Sequence, residues 1–239
     1  MLRRLAEEVL DRAGVFARRR TDLPRGIDWL LDVARLLRPG GPLSVLDIGA
    51  NVGQTTLAIR RRFPTARIHA FEPVRSTFET LRANVGSLPN VECHNVALSD
   101  AEGSRTIPIL PGSVFNSLTS PLWKNDDKAI QEEVRLTTLD RFAAEHGIAA
   151  IDILKTDTEG HDLAVLSGAR ELLSRSAVRC IYTEVTFSAA NTQNTPFPPI
   201  FELLSGKGYR FMGLYEMDYF QTNPWDASFC NALFFNERA

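Results

Sequence analysis

The chain is poor in the residues that staple or anchor a fold. Its 239 residues hold three cysteines, Cys93, Cys180 and Cys230. They are odd in number and widely spaced, which argues against a disulfide framework and gives no zinc-ligand spacing. A cytoplasmic, reducing setting is expected. No apolar run reaches the length of a bilayer span, and the N-terminus lacks the apolar block of a secretory signal. An excess of one charge is also missing: the formal net charge of -2 gives no overall drive toward nucleic acid, and no nucleic-acid partner is expected. There is no internal repeat and no low-complexity segment. A hydrophobic content of 44% suffices for the core of one domain.

A further absence is a glycine. The run VLDIGANVGQ, Val45 to Gln54, reads as a buried strand joined to a helix by a tight turn. Gly49 and Gly53 supply backbone freedom there and room for a ligand to approach, although any tight connection can use glycine. Glu72 follows a second strand-like run, Arg67 to Phe71, at about the spacing of a ribose-binding carboxylate. A dinucleotide fingerprint would read G-x-G-x-x-G, whereas this chain has Asp47-x-Gly49-Ala50-Asn51-x-Gly53. A carboxylate inside the turn repels a pyrophosphate but suits an amino group and a positive sulfur. S-adenosylmethionine has both.

With these residues in view, the chain resembles the class I S-adenosylmethionine-dependent methyltransferases, and more closely the FkbM family. The likeness rests on VLDIGANVGQTT from Val45, HAFEPV from His69, NVALSD from Asn95 and ILKTDTEGHD from Ile153, with NALFFN from Asn231 similar to the family's last strand. It covers roughly residues 41 to 239. Thr156 stands where family members usually carry an aliphatic residue. The resemblance implies a doubly wound, Rossmann-like α/β fold with a seven-stranded, mostly parallel sheet, helices on both faces and an antiparallel last strand. It implies S-adenosyl-L-methionine as cofactor and a hydroxyl of a glycan, glycoside or polyketide as acceptor.

The rest of the chain is organised accordingly. Residues 1–40 are expected to form an N-terminal helical extension packing on a methyltransferase domain over 41–239. Within it, Leu2 to Val15 has helical spacing, and Arg3, Arg4, Arg12 and Arg18 to Arg20 form a basic segment. A solvated helix face explains these charges, and a weak peripheral contact with anionic lipid is the sharper alternative. A second helix runs from Pro24 to Leu37. Strands are expected at Val91 to Ala97, Ile151 to Asp157 and Val178 to Val185. A hairpin of Ile107 to Leu110 with Glu133 to Leu136 is expected around a long loop, Pro111 to Asp127, and a helix over Leu163 to Leu173.

In such a sheet a ligand lies across the carboxyl ends of the strands. The expected cofactor contacts are Asp47, Gly49, Asn51 and Gly53 at the amino-acid end, Glu72 on the ribose, Ala97, Leu98 and Ser99 beside the adenine, and Asp157. The expected catalytic residues are Asp157, His161 and Glu184, as groups able to align or deprotonate a hydroxyl. Lys155 and Asp162 read as structural, and Glu159 as orienting loop amides. Clustered carboxylates can hold a hard cation, but the spacing establishes no ligand set, and a metal-independent reaction is expected. The acceptor pocket is expected to draw on Asn116, Ser117, Trp123, Asn191, Gln193, Asn194, Tyr215, Tyr219 and Trp225, whose rings and amides suit a sugar. The rival readings are an NAD-dependent oxidoreductase or epimerase and a non-catalytic S-adenosylmethionine-binding module.

Overall fold

The computed structural model describes residues 10, 12–13, 22–110, 113, 116–119, 123 and 126–239. Most of the expected first helix and of the basic segment lies outside the described residues, as does much of the 111–127 loop. No helix among the described residues is long and apolar enough to cross a membrane.

The first helix of this description, α1 (Trp29–Leu37), starts later than Pro24 because Asp28 caps it, its carboxylate accepting from the Leu31 amide (2.9 Å). Trp29 stacks on Tyr182 with ring centroids 4.1 Å apart. The chain then alternates β1 (Ser44–Ile48), α2 (Gln54–Arg62), β2 (Arg67–Phe71), α3 (Arg75–Val85) and β3 (Val91–His94). The apolar run Val45 to Ile48 is covered on both faces, as its unbroken pattern requires.

After His94 the chain leaves the sheet. The expected strand through Ala97 is broken at Asn95, whose amide nitrogen donates to the carbonyls of Glu72 (2.9 Å) and Pro73 (2.8 Å). Short β4 (Ala97–Ser99) then pairs parallel with β6 (Ile130–Thr138), which pairs antiparallel with β5 (Gly103–Ile109). The expected hairpin is thus present, as part of a small second sheet in the order β4-β6-β5. The chain returns through α4 (Leu139–Glu145), β7 (Ile151–Thr156), α5 (Asp162–Ser167), α6 (Arg170–Ser174), β8 (Val178–Val185), α7 (Phe197–Ser205), β9 (Arg210–Phe220) and β10 (Asn223–Phe235).

The main sheet runs β3-β2-β1-β7-β8-β10-β9, with β10 antiparallel to both neighbours and the other pairings parallel. Two apolar cores lie on its two faces. The order reverses between β1 and β7, and there the strand ends open a crevice. Arg210 to Phe220 is a strand throughout, so Tyr215 to Trp225, expected as an acceptor loop, is the outer part of a β hairpin.

The turn glycines face protein. A Cβ on Gly49 (φ +72) would lie 1.8 Å from the Asp157 carbonyl oxygen, and one on Gly53 2.8 Å from a Val85 methyl. Their freedom is used to pack β1 against the end of β7 and α2 against α3. The helix expected from Leu163 to Leu173 is interrupted at Gly168, where a Cβ would come within 1.9 Å of the Ser99 carbonyl oxygen on β4. Gly168→Ala therefore costs about 1–3 kcal/mol of stability by overpacking against backbone. Gly40→Ala, where nothing lies within 4 Å, is the control and shifts the urea midpoint little. Equal midpoints for the two variants would refute the close approach.

Candidate functional site

The crevice is an open cleft of about 610 Å³ counting the solvent space at its mouth. Ile48, Phe71, Val96, Ala97 and Leu98 form an apolar wall, and Asn51, Glu72, Asp157, Thr158 and Glu159 bring polar groups to it. Ser117 and Leu118 face it from the loop between β5 and β6.

Asp47, expected at the amino-acid end of the cofactor, does not reach the cleft. It has no exposed surface: Thr56 Oγ1 donates to its Oδ2 (2.6 Å), and its Oδ1 lies 3.3 Å from Lys155 Nζ. The turn carboxylate is explained by this buried lysine. Lys155 Nζ is also 3.3 Å from Asp157 Oδ2 and donates to the Gly49 carbonyl (3.1 Å). Burial acts to lower the Lys155 pKa, but Asp157 and Asp47 outweigh it and hold the ammonium charged. Lys155 is buried between these partners, pairs with one oxygen of Asp157 at the cleft's edge, and also borders a cavity beside Trp29 and Tyr182.

Glu72 stands where the ribose spacing put it, buried in the cleft with Oε1 accepting from the Val74 amide (2.9 Å). Burial pushes its carboxyl up to about 7, against the pull of amide hydrogen bonds from Val74 and Asn51. Asn51, at φ 50, lines the cleft with a buried Oδ1 that has no hydrogen-bond partner among the described residues. Gly49 lines the cleft, while Gly53 packs behind it against α3. Ala97 belongs to the apolar wall. Ser99 does not: its hydroxyl is 2.9 Å from His161 Nε2.

That bond changes the reading of His161. Its other ring nitrogen, Nδ1, is 2.9 Å from Thr119 Oγ1, so both nitrogens are engaged by hydroxyls. Burial, with the nearby Arg105 charge, lowers its pKa. His161 ties β4 to the 117–119 segment beside the cleft, where Ser117 Oγ also donates to the Glu159 carbonyl (2.6 Å). A general-base role would require it to give up one of these bonds.

The acids converge instead on Glu159, which the sequence reading assigned only to loop amides. Glu159 takes φ 52 and borders both the cleft and a second cavity of about 760 Å³. The carboxylates of Asp157, Glu159 and Glu184 offer oxygens within 4.8 Å of one another, a spacing that can also accommodate a hard divalent ion. Burial and then the charges of Asp157 and Asp162 push Glu159 up to about 7. Glu184, at the end of β8, is raised well above the usual carboxylate range by burial and then by Asp157, Glu159 and Asp162, although Asn194 Nδ2 donates to it. Asp162 is fully buried and accepts from Thr195 Oγ1 (3.3 Å), in keeping with a structural role. The tight TDTEGHD block was the available signal for Glu159.

The second cavity is walled by the 190–194 turn, by Tyr219, Phe220 and Phe229 of the β9–β10 hairpin, and by Ser228. Asn191, Gln193, Asn194 and Tyr219 line this second cavity, and Asn116 and Ser117 line the first cleft instead. Tyr215 is buried with its hydroxyl donating to Asp32 (3.0 Å), Trp225 is 92% exposed on the hairpin, and Trp123 lines neither cavity.

The cleft fits an adenosyl cofactor, with an apolar slot for a base, a buried carboxylate for ribose hydroxyls and the orphaned Asn51 oxygen as an acceptor. Asp47→Ala is expected to cost about 3 kcal/mol or more in thermal unfolding, because it uncouples a buried lysine. Glu72→Gln retains the fold and weakens cofactor binding about tenfold or more in calorimetry. Because the folded state raises the Glu72 pKa from 4.5 to about 7, its contribution to stability is fully present at acid pH, is lost as pH rises between those values and is level above, and the Gln variant lacks that pH dependence. Normal stability of Asp47→Ala together with lost binding would return Asp47 to direct cofactor contact.

Residues 47–211 match the family model of the methyltransferase FkbM domain. The chain is 29% identical over 186 residues to the 2-O-methyltransferase NoeI of Sinorhizobium fredii, a match covering 72% of this chain and 74% of that protein. It is 30% identical over 162 residues to the 31-O-demethyl-FK506 methyltransferase FkbM of Streptomyces tacrolimicus, covering 56% and 62%. Across these and three further curated relatives, the match spans from 8% to 74% of the relative's length. The solved METTL16 MTase domain superposes with a TM-score of 0.52 at 12% identity, over 87% of this chain and 66% of that one, a likeness of fold.

Proposed function

The chain belongs to the FkbM methyltransferase family, and from that membership we propose that it is an O-methyltransferase carrying the methyl group of S-adenosylmethionine to a hydroxyl of a small-molecule or glycan acceptor. A sugar hydroxyl of a glycoside or polysaccharide is the preferred target. The observation that carries this reading is Glu159, which joins the cofactor cleft to a second cavity lined by amides, hydroxyls and aromatic rings. Rings stack on sugar faces while amides bond hydroxyls. Membership of the family sets aside the NAD-dependent reading. Residues 41–239 would be the catalytic domain, with residues 1–40 as its extension. The free thiols of Cys93, Cys180 and Cys230 suit a cytoplasmic setting.

Bound S-adenosylmethionine supplies an electrophilic methyl on a positive sulfur and is left as a neutral thioether. The protein's part is to position and to deprotonate. Glu72 and Asn51 hold the donor end, and Asp157, fixed by Lys155, places negative charge at the edge of the cleft. The acceptor oxygen forms the new bond to carbon while its proton passes to Glu159, with Glu184 beside it. A carboxylate with a pKa near 7 is a far better base than an ordinary one. The tie from His161 to Ser99 and Thr119 keeps the 117–119 wall in place.

Because the base must be ionised, turnover should rise with pH and level off above about 7. Glu159→Gln should lose that rise and lower kcat by about 10²- to 10⁴-fold while still binding the cofactor. A wild-type pH profile in the variant would remove Glu159 as the base. Chelation should leave turnover unchanged, and a loss restored by magnesium would assign the three carboxylates to a divalent ion. Cofactor binding without turnover on any glycoside hydroxyl would favour a non-catalytic module.

A further inference from the structure

The chain has only four histidines, and three of them meet on one face of the main sheet without lining the cleft. His69 of β2 is opposite Glu92 of β3, and Phe71 opposite His94. Alternate strand residues share a face, so His69, Glu92 and His94 project together. His69 Nδ1 is 3.0 Å from His94 Nε2 and 3.7 Å from Glu92 Oε2. The ring of His146, at the end of α4, has its centroid 5.5 Å from that of His94 and 6.1 Å from that of His69. Phe71 and Phe142 close the inner side.

We propose that His69, His94 and Glu92 form a binding site for a transition-metal dication of the zinc type, bridging β2 to the edge strand β3. Two nitrogens on a tetrahedral zinc lie roughly 3.3 Å apart, given bonds of about 2.0 Å. The imidazole pair, at 3.0 Å, needs only a slight opening to admit an ion. When the metal binds, the ring that donates this hydrogen bond carries its proton on its other nitrogen instead, so that both rings coordinate as neutral imidazoles. Two imidazoles and one carboxylate favour a borderline ion over magnesium or calcium. His146 Nδ1 donates to the Phe142 carbonyl (2.9 Å), which leaves its Nε2 to turn toward the metal or to accept from a metal-bound water.

Titration of the tag-free chain with Co²⁺, followed by visible absorption, should show one ion per chain that Zn²⁺ displaces. His69→Gln and His94→Gln should abolish the absorption. Glu92→Gln should weaken binding about tenfold or more, and its exposed side chain makes it a safe probe if either histidine variant fails to fold. Unchanged titration in Glu92→Gln and His94→Gln would overturn the proposal. So would binding that survives His94→Gln and vanishes in Glu184→Gln, which would locate the ion among the carboxylates.

Discussion

A single buried ammonium holds the centre of the molecule together. Lys155 reaches from β7 to the Asp47 carboxylate of β1, the Gly49 carbonyl of the turn and the Asp157 carboxylate beyond its own strand. The two strands at which the sheet order reverses are therefore joined by charge as well as by their ladder. A lysine this deep is tolerable only with partners on every side. Its partners are the residues that shape the turn and place a carboxylate at the ligand's edge. Removing the lysine leaves the fully buried Asp47 carboxylate without its cation, so the scaffold and the site are coupled electrically.

The same low-dielectric surroundings act oppositely a few residues on. Among the described residues the cation near Asp157, Glu159, Asp162 and Glu184 is Lys155, already engaged by two carboxylates, and burial and mutual repulsion raise Glu159, Asp162 and Glu184. Crowding of like charges opposes stability, and it is also what gives a carboxyl the basicity that deprotonation of a hydroxyl needs. Hydroxyl and amide partners around the rim, Asn194 on Glu184 and Thr195 on Asp162, limit the strain without cancelling it.

Much of the scaffold was legible because it follows from local pattern. The apolar run at Val45, the second strand ending at Glu72 and the acid block after β7 lie where alternation and spacing place them. What the pattern misassigned was contact across the fold. Asp47 looked like a ligand to a sulfonium because nothing local reveals Lys155, some hundred residues away, as its partner. Gly49 and Gly53 looked like openings for a ligand, and their missing side chains are filled by Asp157 and Val85. His161 looked like a base until Ser99 and Thr119 took its nitrogens. Glu159 was underrated because its value comes from bordering two cavities, which no linear spacing records.

The walls of those two cavities come from separate parts of the chain. The cofactor cleft is built by the ends of β1, β2 and β7 with β4, and the second cavity by the 190–194 turn and the β9–β10 hairpin; Glu159 is the residue common to both. Mutations that reshape the second cavity need not disturb the first. Under the proposed function, such a division would let a lineage trade one acceptor for another by drifting in a turn and a hairpin, while the walls of the donor cleft stay as they are.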